Sequence, residues 1–215
     1  MSNSAHLTEA VYDQIAEALT QEGCIILPNF LPDDMTQQLH QHISSLPDNQ
    51  FKTAGIGRND DRQLKQQVRN DQTSWLSNDS LAEQGYLAVM EECRTQLNRR
   101  LFLGLFDYEA HFAHYAEGSY YQRHIDAFRG QSNRLVTTVF YLNPDWTDDN
   151  GGELLIYSPN NDDVIHRVLP RFGTMVIFLS DRFPHEVLAA KQDRYSIAGW
   201  FRSNNSNSLI VDPIN

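Results

Sequence analysis

In "YYQRHIDAFRG", residues 120–130, a histidine and an aspartate, His124 and Asp126, stand two positions apart. Residues i and i+2 of a strand share a face, so in an extended segment the imidazole and the carboxylate converge. A second histidine, His185, lies in "DRFPHEV" just after the apolar run "GTMVIFLS". Antiparallel pairing could bring it beside the first two. Two neutral imidazoles and one carboxylate on one face leave the rest of a coordination sphere free. Such a donor set suits a ferrous ion that must take up a co-substrate and oxygen.

Nine residues beyond His185, Arg194 opens "RYSIAGWFR", whose alternation would turn its side chain inward together with Ser196. A buried guanidinium without a partner is costly, so an inward arginine in a small barrel calls for an anion. A carboxylate matches the planar fork of arginine, and Tyr141 in "TVFYLNPDW", on a facing strand, is the natural hydroxyl to complete such a site.

These side chains need a scaffold, and from Tyr108 onward the chain reads as short alternating strands: "YEAHFAHYA", "YYQRHID", "RLVTTVFYLN", "GELLIY", "VIHRVL", "GTMVIFLS" and "RYSIAGWFR". Turn signals such as Asn150-Gly151-Gly152 and Phe172-Gly173 separate them, which predicts a sandwich, barrel or jelly roll. The N-terminal half predicts helices instead. Thr8 can cap a first helix with Val11, Ile15 and Leu19 on one side and Gly23 at its end. The strand "CIILPNF" follows it. Pro32, Asp33 and Asp34 open a second helix with Met35, Leu39 and Ile43 as its stripe, closed by Leu46-Pro47. A third helix spans about 80–101, with Tyr86, Met90, Cys93, Leu97 and Leu101 along one side. The polar stretch between the last two, 47–79, is long for a plain connector and predicts a functional lid or binding loop.

The composition bounds the partners. With 17 basic against 28 acidic residues and a net charge of −11, the chain lacks the footprint of a phosphate-tracking protein, so no nucleic-acid partner is expected. No apolar run approaches the ~20 residues of a membrane span, and "MSNSAHLTEA" has neither a basic nor an apolar leader region. Cys24 and Cys93 stand in apolar patterns that suit buried thiols in a reducing compartment. The expectation is a cytoplasmic protein, neither exported nor membrane-embedded.

Taken in order, H-x-D, "FYLNPDW", "NGGELLIY", "GTMVIFLSDRFPHEV" and "RYSIAGWF" resemble the iron- and 2-oxoglutarate-dependent dioxygenases, and among them the prolyl hydroxylases that sense oxygen in animals. The resemblance implies an α+β fold, a double-stranded β-helix (jelly roll) with the N-terminal helices packed on its major sheet. Residues 1–107 would then be a helical support region carrying the active-site loop 47–79, and 108–215 the catalytic core. It further implies that His124, Asp126 and His185 ligate iron and that Arg194 and Tyr141 hold the distal carboxylate of 2-oxoglutarate. Tyr115 in "AHYAEG" matches a tyrosine lining the metal pocket, and Trp200 one that packs beside the co-substrate. The segment "VRNDQTSWL" resembles an "arginine, x, aspartate" segment near the mouth of the site, which brings in Arg69 and Asp71.

The implied reaction is hydroxylation at C4 of a proline in a protein substrate, with Fe(II), 2-oxoglutarate and O2 as cofactors and ascorbate as an accessory reductant. Two readings stand beside it: hydroxylation of a free amino acid or other small molecule, and a cupin-like binding module without turnover. The 215 residues show no counterpart of the animal enzymes' zinc-finger region, and the loop "AFRGQSNR" differs from theirs in composition, so oxygen sensing is not implied.

Overall fold

The structure, a computed structural model, describes residues 7–54, 68–127 and 132–204. Its N-terminal half contains α1 (Glu9–Gln21), β1 (Cys24–Leu27), α2 (Asp33–Ser45), β2 (Lys52–Thr53), β3 (Gln72–Trp75) and α3 (Leu81–Leu101). The strands β4 (Leu105–Tyr115), β5 (Tyr121–His124), β6 (Arg134–Tyr141), β7 (Leu154–Tyr157), β8 (Val164–Val168), β9 (Met175–Leu179), β10 (His185–Val187) and β11 (Arg194–Ser203) follow. They divide between two antiparallel sheets, alternating except that β7 and β8 both lie in the minor one. The major sheet runs β1-β9-β6-β11-β4-β3-β2 and the minor one β5-β10-β7-β8, which is the expected jelly roll.

Strand parity divides the major sheet into two chemistries. Phe112, Phe140, Ile197 and Phe201 face the helices and join Tyr12, Ile15, Leu39, Tyr86 and Met90 in one buried apolar cluster. The alternate residues, among them Ala113, Tyr115 and Tyr141, face the minor sheet and pack with Ile156, Phe178 and Val187. The site therefore lies between the sheets, while the helix layer stiffens the sheet from behind.

Local signals place the helices. Gly23, at φ +82°, donates its N–H to the Ala18 carbonyl and ends α1. Ser80 caps α3 by accepting from the Glu83 N–H at 3.1 Å. The Glu83 carboxylate in turn takes the N–H groups of Ser77 and Asn78, both at 2.9 Å, and meets His42 Nε2 at 2.8 Å. One buried acid thus ties α2, α3 and the approach to α3 together.

The structure corrects the sequence reading in two places. The segment 47–79 is not a loop throughout, because β2 and β3 extend the major sheet, with β3 paired to β4 from Gln72↔His114 to Trp75↔His111. Positions 55–67 of that segment, and 128–131 of the loop after Asp126, lie outside the described residues. Second, "HEV" forms a strand of its own. At three residues β10 is too short for periodicity to reveal, yet it pairs with both β5 and β7.

Candidate active site

β5 and β10 meet in a register that sets His185 directly opposite His124. Asp126 follows two residues beyond His124, and one donor atom from each of the three residues lies within 4.8 Å of the others. His124 Nε2 is 3.6 Å from Asp126 Oδ1, and His185 Nε2 is 3.8 Å from Asp126 Oδ2. Both imidazoles are oriented through their other nitrogen. His124 Nδ1 lies 2.8 Å from the Gln122 carbonyl and His185 Nδ1 3.0 Å from that of Phe183. A carbonyl only accepts, so each Nδ1 carries the hydrogen and each Nε2 presents its lone pair to the centre.

The charge states agree with that arrangement. Burial, aided by the nearby His124, pushes the His185 imidazole down to about 4, so it is neutral near pH 7. For Asp126, burial works against the carboxylate, but His185, His124 and Arg134 together outweigh it and hold the group well below the usual carboxylate range. The neutral His185 nitrogen, the His124 nitrogen facing it and one anionic oxygen fit a divalent iron with open coordination positions.

Deeper between the sheets, Arg194 is 1% exposed and pairs across the ladder with Tyr115. Its Nε donates to the Gly152 carbonyl at 2.9 Å. Gly152 sits at φ +71°, and a Cβ there would fall 2.9 Å from that of Ala190 and 3.2 Å from Arg194 Cδ. Ala190, Trp146 and Arg194 together thus leave no room for a side chain at Gly152. Among the described residues, neither Arg194 Nη2 nor the Tyr141 hydroxyl has a hydrogen-bond partner, though both are buried. Burial pushes the Tyr141 phenol up to about 12 against the lowering effect of Arg194, so it stays a neutral donor. A cation and a hydroxyl left unsatisfied side by side fit the end of a carboxylate ligand.

The remaining sequence candidates fall around these two groups. Tyr115 is buried with its ring 4.9 Å from the Arg194 guanidinium carbon. Arg69 and Asp71 form a two-pronged ion pair, at 2.7 and 2.6 Å, with Asp71 fully buried. Arg69 also lies 4.3 Å above the Tyr121 ring, which stacks on His124 at 3.6 Å. The pair thus supports a candidate ligand from outside. The indole N–H of Trp200 donates to Asp126 Oδ2 at 2.9 Å.

Sequence reasoning missed Tyr121, Thr137 and Arg134. Thr137 donates to Asp126 Oδ2 at 2.8 Å, and its signal was parity, since it shares a strand face with Tyr141 four residues on. Arg134 gave no such signal, because its contacts with Glu109 and Trp200 are made across strands, and Tyr121 gave none because its stacking on His124, three positions along the same strand, does not follow strand parity.

The 2OG-Fe(II) oxygenase superfamily model matches residues 110–202. The chain is 35% identical to a prolyl-4-hydroxylase of Pseudomonas putida, superposing with a TM-score of 0.81 over 90% of this chain and 100% of that one. It is 28% identical to a Trichoplax adhaerens prolyl hydroxylase solved with a peptide of the hypoxia inducible factor oxygen degradation domain, with a TM-score of 0.79 over 91% and 90% of the two chains. Mouse (Mus musculus) Egl nine homolog 1 is 27% identical over 198 residues, 88% of this chain and 49% of that protein. The chain thus spans about half the length of that relative.

Proposed function

We propose a reading that proceeds from one premise: the chain belongs to the 2OG-Fe(II) oxygenase superfamily. It acts as a prolyl 4-hydroxylase on a polypeptide, converting prolyl C–H, O2 and 2-oxoglutarate into prolyl C–OH, succinate and CO2. The observation that carries the reading is the pairing, between the same two sheets, of the His124–Asp126–His185 cluster with the unsatisfied Arg194–Tyr141 pair. A binding module has no need of both. The prolyl, polypeptide part rests on the likeness to the Pseudomonas putida enzyme over that chain's whole length.

In this reading His124, Asp126 and His185 hold the iron, and Arg194 and Tyr141 hold the distal carboxylate of 2-oxoglutarate. When bound, the metal supplies the activation of O2 and the cleavage of the C–H bond. The protein supplies placement. Arg194 accepts the co-substrate through its fork and fixes its distance from the metal, with the Tyr141 hydroxyl completing the site. Tyr115, packed on Arg194, limits how the guanidinium can turn. Arg69 and Asp71 brace Tyr121, whose ring stacks on His124 and limits how that imidazole can turn. The described residues through α3 supply the backing layer and β1, β2 and β3, and the strands from β4 onward the chemistry; the boundary expected at 107/108 falls inside β4 (Leu105–Tyr115), and ascorbate would serve only to keep the iron reduced. Among the described residues no helix is long and apolar enough to cross a membrane.

The test is incubation of the protein with Fe(II), 2-oxoglutarate, ascorbate and a library of proline-containing peptides, followed by mass spectrometry. One added oxygen on a proline, matched by succinate, is the expected result. Succinate formation stimulated by free proline and by no peptide would move the assignment to a small-molecule hydroxylase.

A further inference from the structure

We propose that Glu109 and Arg134 are positioning residues for the metal site, clamping the Trp200 indole so that its N–H holds Asp126 Oδ2 and leaves Oδ1 to the metal. The inference rests on the ferrous reading of the His124–Asp126–His185 cluster given above.

Asp126 Oδ2 accepts two hydrogen bonds, from Thr137 Oγ1 at 2.8 Å and Trp200 Nε1 at 2.9 Å. Two donors satisfy its two lone pairs, and Oδ1 is left as the oxygen for a metal. Thr137 has one hydrogen, which goes to Asp126. Its 2.9 Å contact with Ser180 is therefore donated by Ser180, and the hydroxyl side of the support is fully directed.

The indole side needs a different restraint, because rotation about its side-chain bonds would carry the N–H away from the carboxylate. The Arg134 guanidinium carbon lies 3.6 Å over the Trp200 ring, and the His111 ring packs 5.4 Å from it. Arg134 is itself held by Glu109, with Nε and Nη2 both 2.8 Å from Oε1. The other oxygen of Glu109 lies 3.2 Å from Arg202 Nη1, and Arg202 forms a two-pronged pair with Asp107. Two cations and two anions, with Asp107, Glu109 and Arg202 buried, thus anchor one guanidinium against one indole face. The chain of contacts ends on the carboxylate that carries the site's negative charge.

A purely structural plug would have the same ion pairs without acting through Trp200, and a thermodynamic cycle separates the two. Mn(II) affinity is measured by electron paramagnetic resonance, without turnover, for wild type, Arg134→Met, Trp200→Phe and the double variant, with apo-protein melting alongside. Loss of an outer-sphere support typically weakens metal binding ~10- to 100-fold. Arg134→Met and Trp200→Phe are each expected to weaken Mn(II) by about tenfold, and the double variant to fall well short of the product of the two losses, the remainder over Trp200→Phe alone being the direct effect of the Arg134 charge on Asp126. Arg134→Lys, which keeps the cation over the ring, should recover most of the affinity. Additive losses, or wild-type affinity in Arg134→Met, overturn the proposal. If Arg134→Met does not fold, Glu109→Gln takes its place in the cycle with the same expectations. Failure of the wild-type protein itself to bind Mn(II) would instead overturn the ferrous reading, and this inference with it.

Discussion

The Arg194 guanidinium carbon stands 5.0 Å from the centre of the Tyr141 ring, and among the described residues neither Arg194 Nη2 nor the Tyr141 hydroxyl has a hydrogen-bond partner. They are brought together by a ladder in which Ser196, two residues beyond Arg194, lies opposite Tyr141. The proposed 2-oxoglutarate site is the consequence of that register.

Arg194→Lys keeps the charge and loses the fork. Its 2-oxoglutarate requirement is expected to rise about tenfold or more, roughly 1.4 kcal/mol per decade. Tyr141→Phe should shift it less, in the same direction. Titration of 2-oxoglutarate-dependent succinate formation in both variants checks this, and unchanged affinity in both would remove the site.

His185→Ala should lose Fe(II) binding with only modest loss of stability. Asp126→Ala should lose both, because it leaves the Trp200 N–H and the Thr137 hydroxyl without their acceptor, at about 1–3 kcal/mol each. Anaerobic Fe(II) titration and urea denaturation of the two apo-proteins measure the difference. Equal stabilities would contradict the role given to Oδ2.

For Arg69 and Asp71 the order of effects is informative. Arg69→Met strands a fully buried carboxylate and is expected to cost about 3–5 kcal/mol. Removing both charges, as Arg69→Met with Asp71→Leu, should cost less. In the double variant peptide hydroxylation should fall more than substrate-free decarboxylation of 2-oxoglutarate, since the Tyr121 support is lost while Arg194 is untouched. Equal effects on the two activities would make the pair a structural brace alone.

Acid should destabilise the protein partly through His111. Burial, with help from Arg69, pushes its imidazole from 6.5 down to about 4. Over that window the unfolded chain binds the proton and the native protein does not. The contribution is therefore fully present above pH 6.5 and is lost as the pH falls toward 4, to at most about 3 kcal/mol. His111→Phe should flatten the decline in unfolding free energy between pH 7 and pH 5, and an unchanged slope would refute the assignment. His185, depressed in the same window, leaves a residual slope in the variant.

Local pattern was enough for much of the architecture. The stripes of α1, α2 and α3 follow from 3.6-residue periodicity, and their buried faces are Ile15 and Leu19, Leu39 and Ile43, Tyr86, Met90, Cys93 and Leu97. The alternation of β11 turned Arg194 and Ser196 inward, and both are buried. These inferences hold because helix and strand periods are properties of the backbone, readable within ten residues.

By itself, then, the sequence determined local relationships: the shared strand face of Arg194 with Ser196, and the two-residue spacing that keeps Asp126 beside His124 even though β5 ends at His124 and Asp126 lies in the bend after it. Tertiary structure alone decided which faces meet. His185 reaches His124 through the pairing of a three-residue strand, Trp200 reaches Asp126 across 74 positions, and Arg202 reaches Asp107 across 95. Such contacts depend on register between distant strands. Register is chosen by the whole apolar core at once, since a slip of one residue would turn every inward side chain outward.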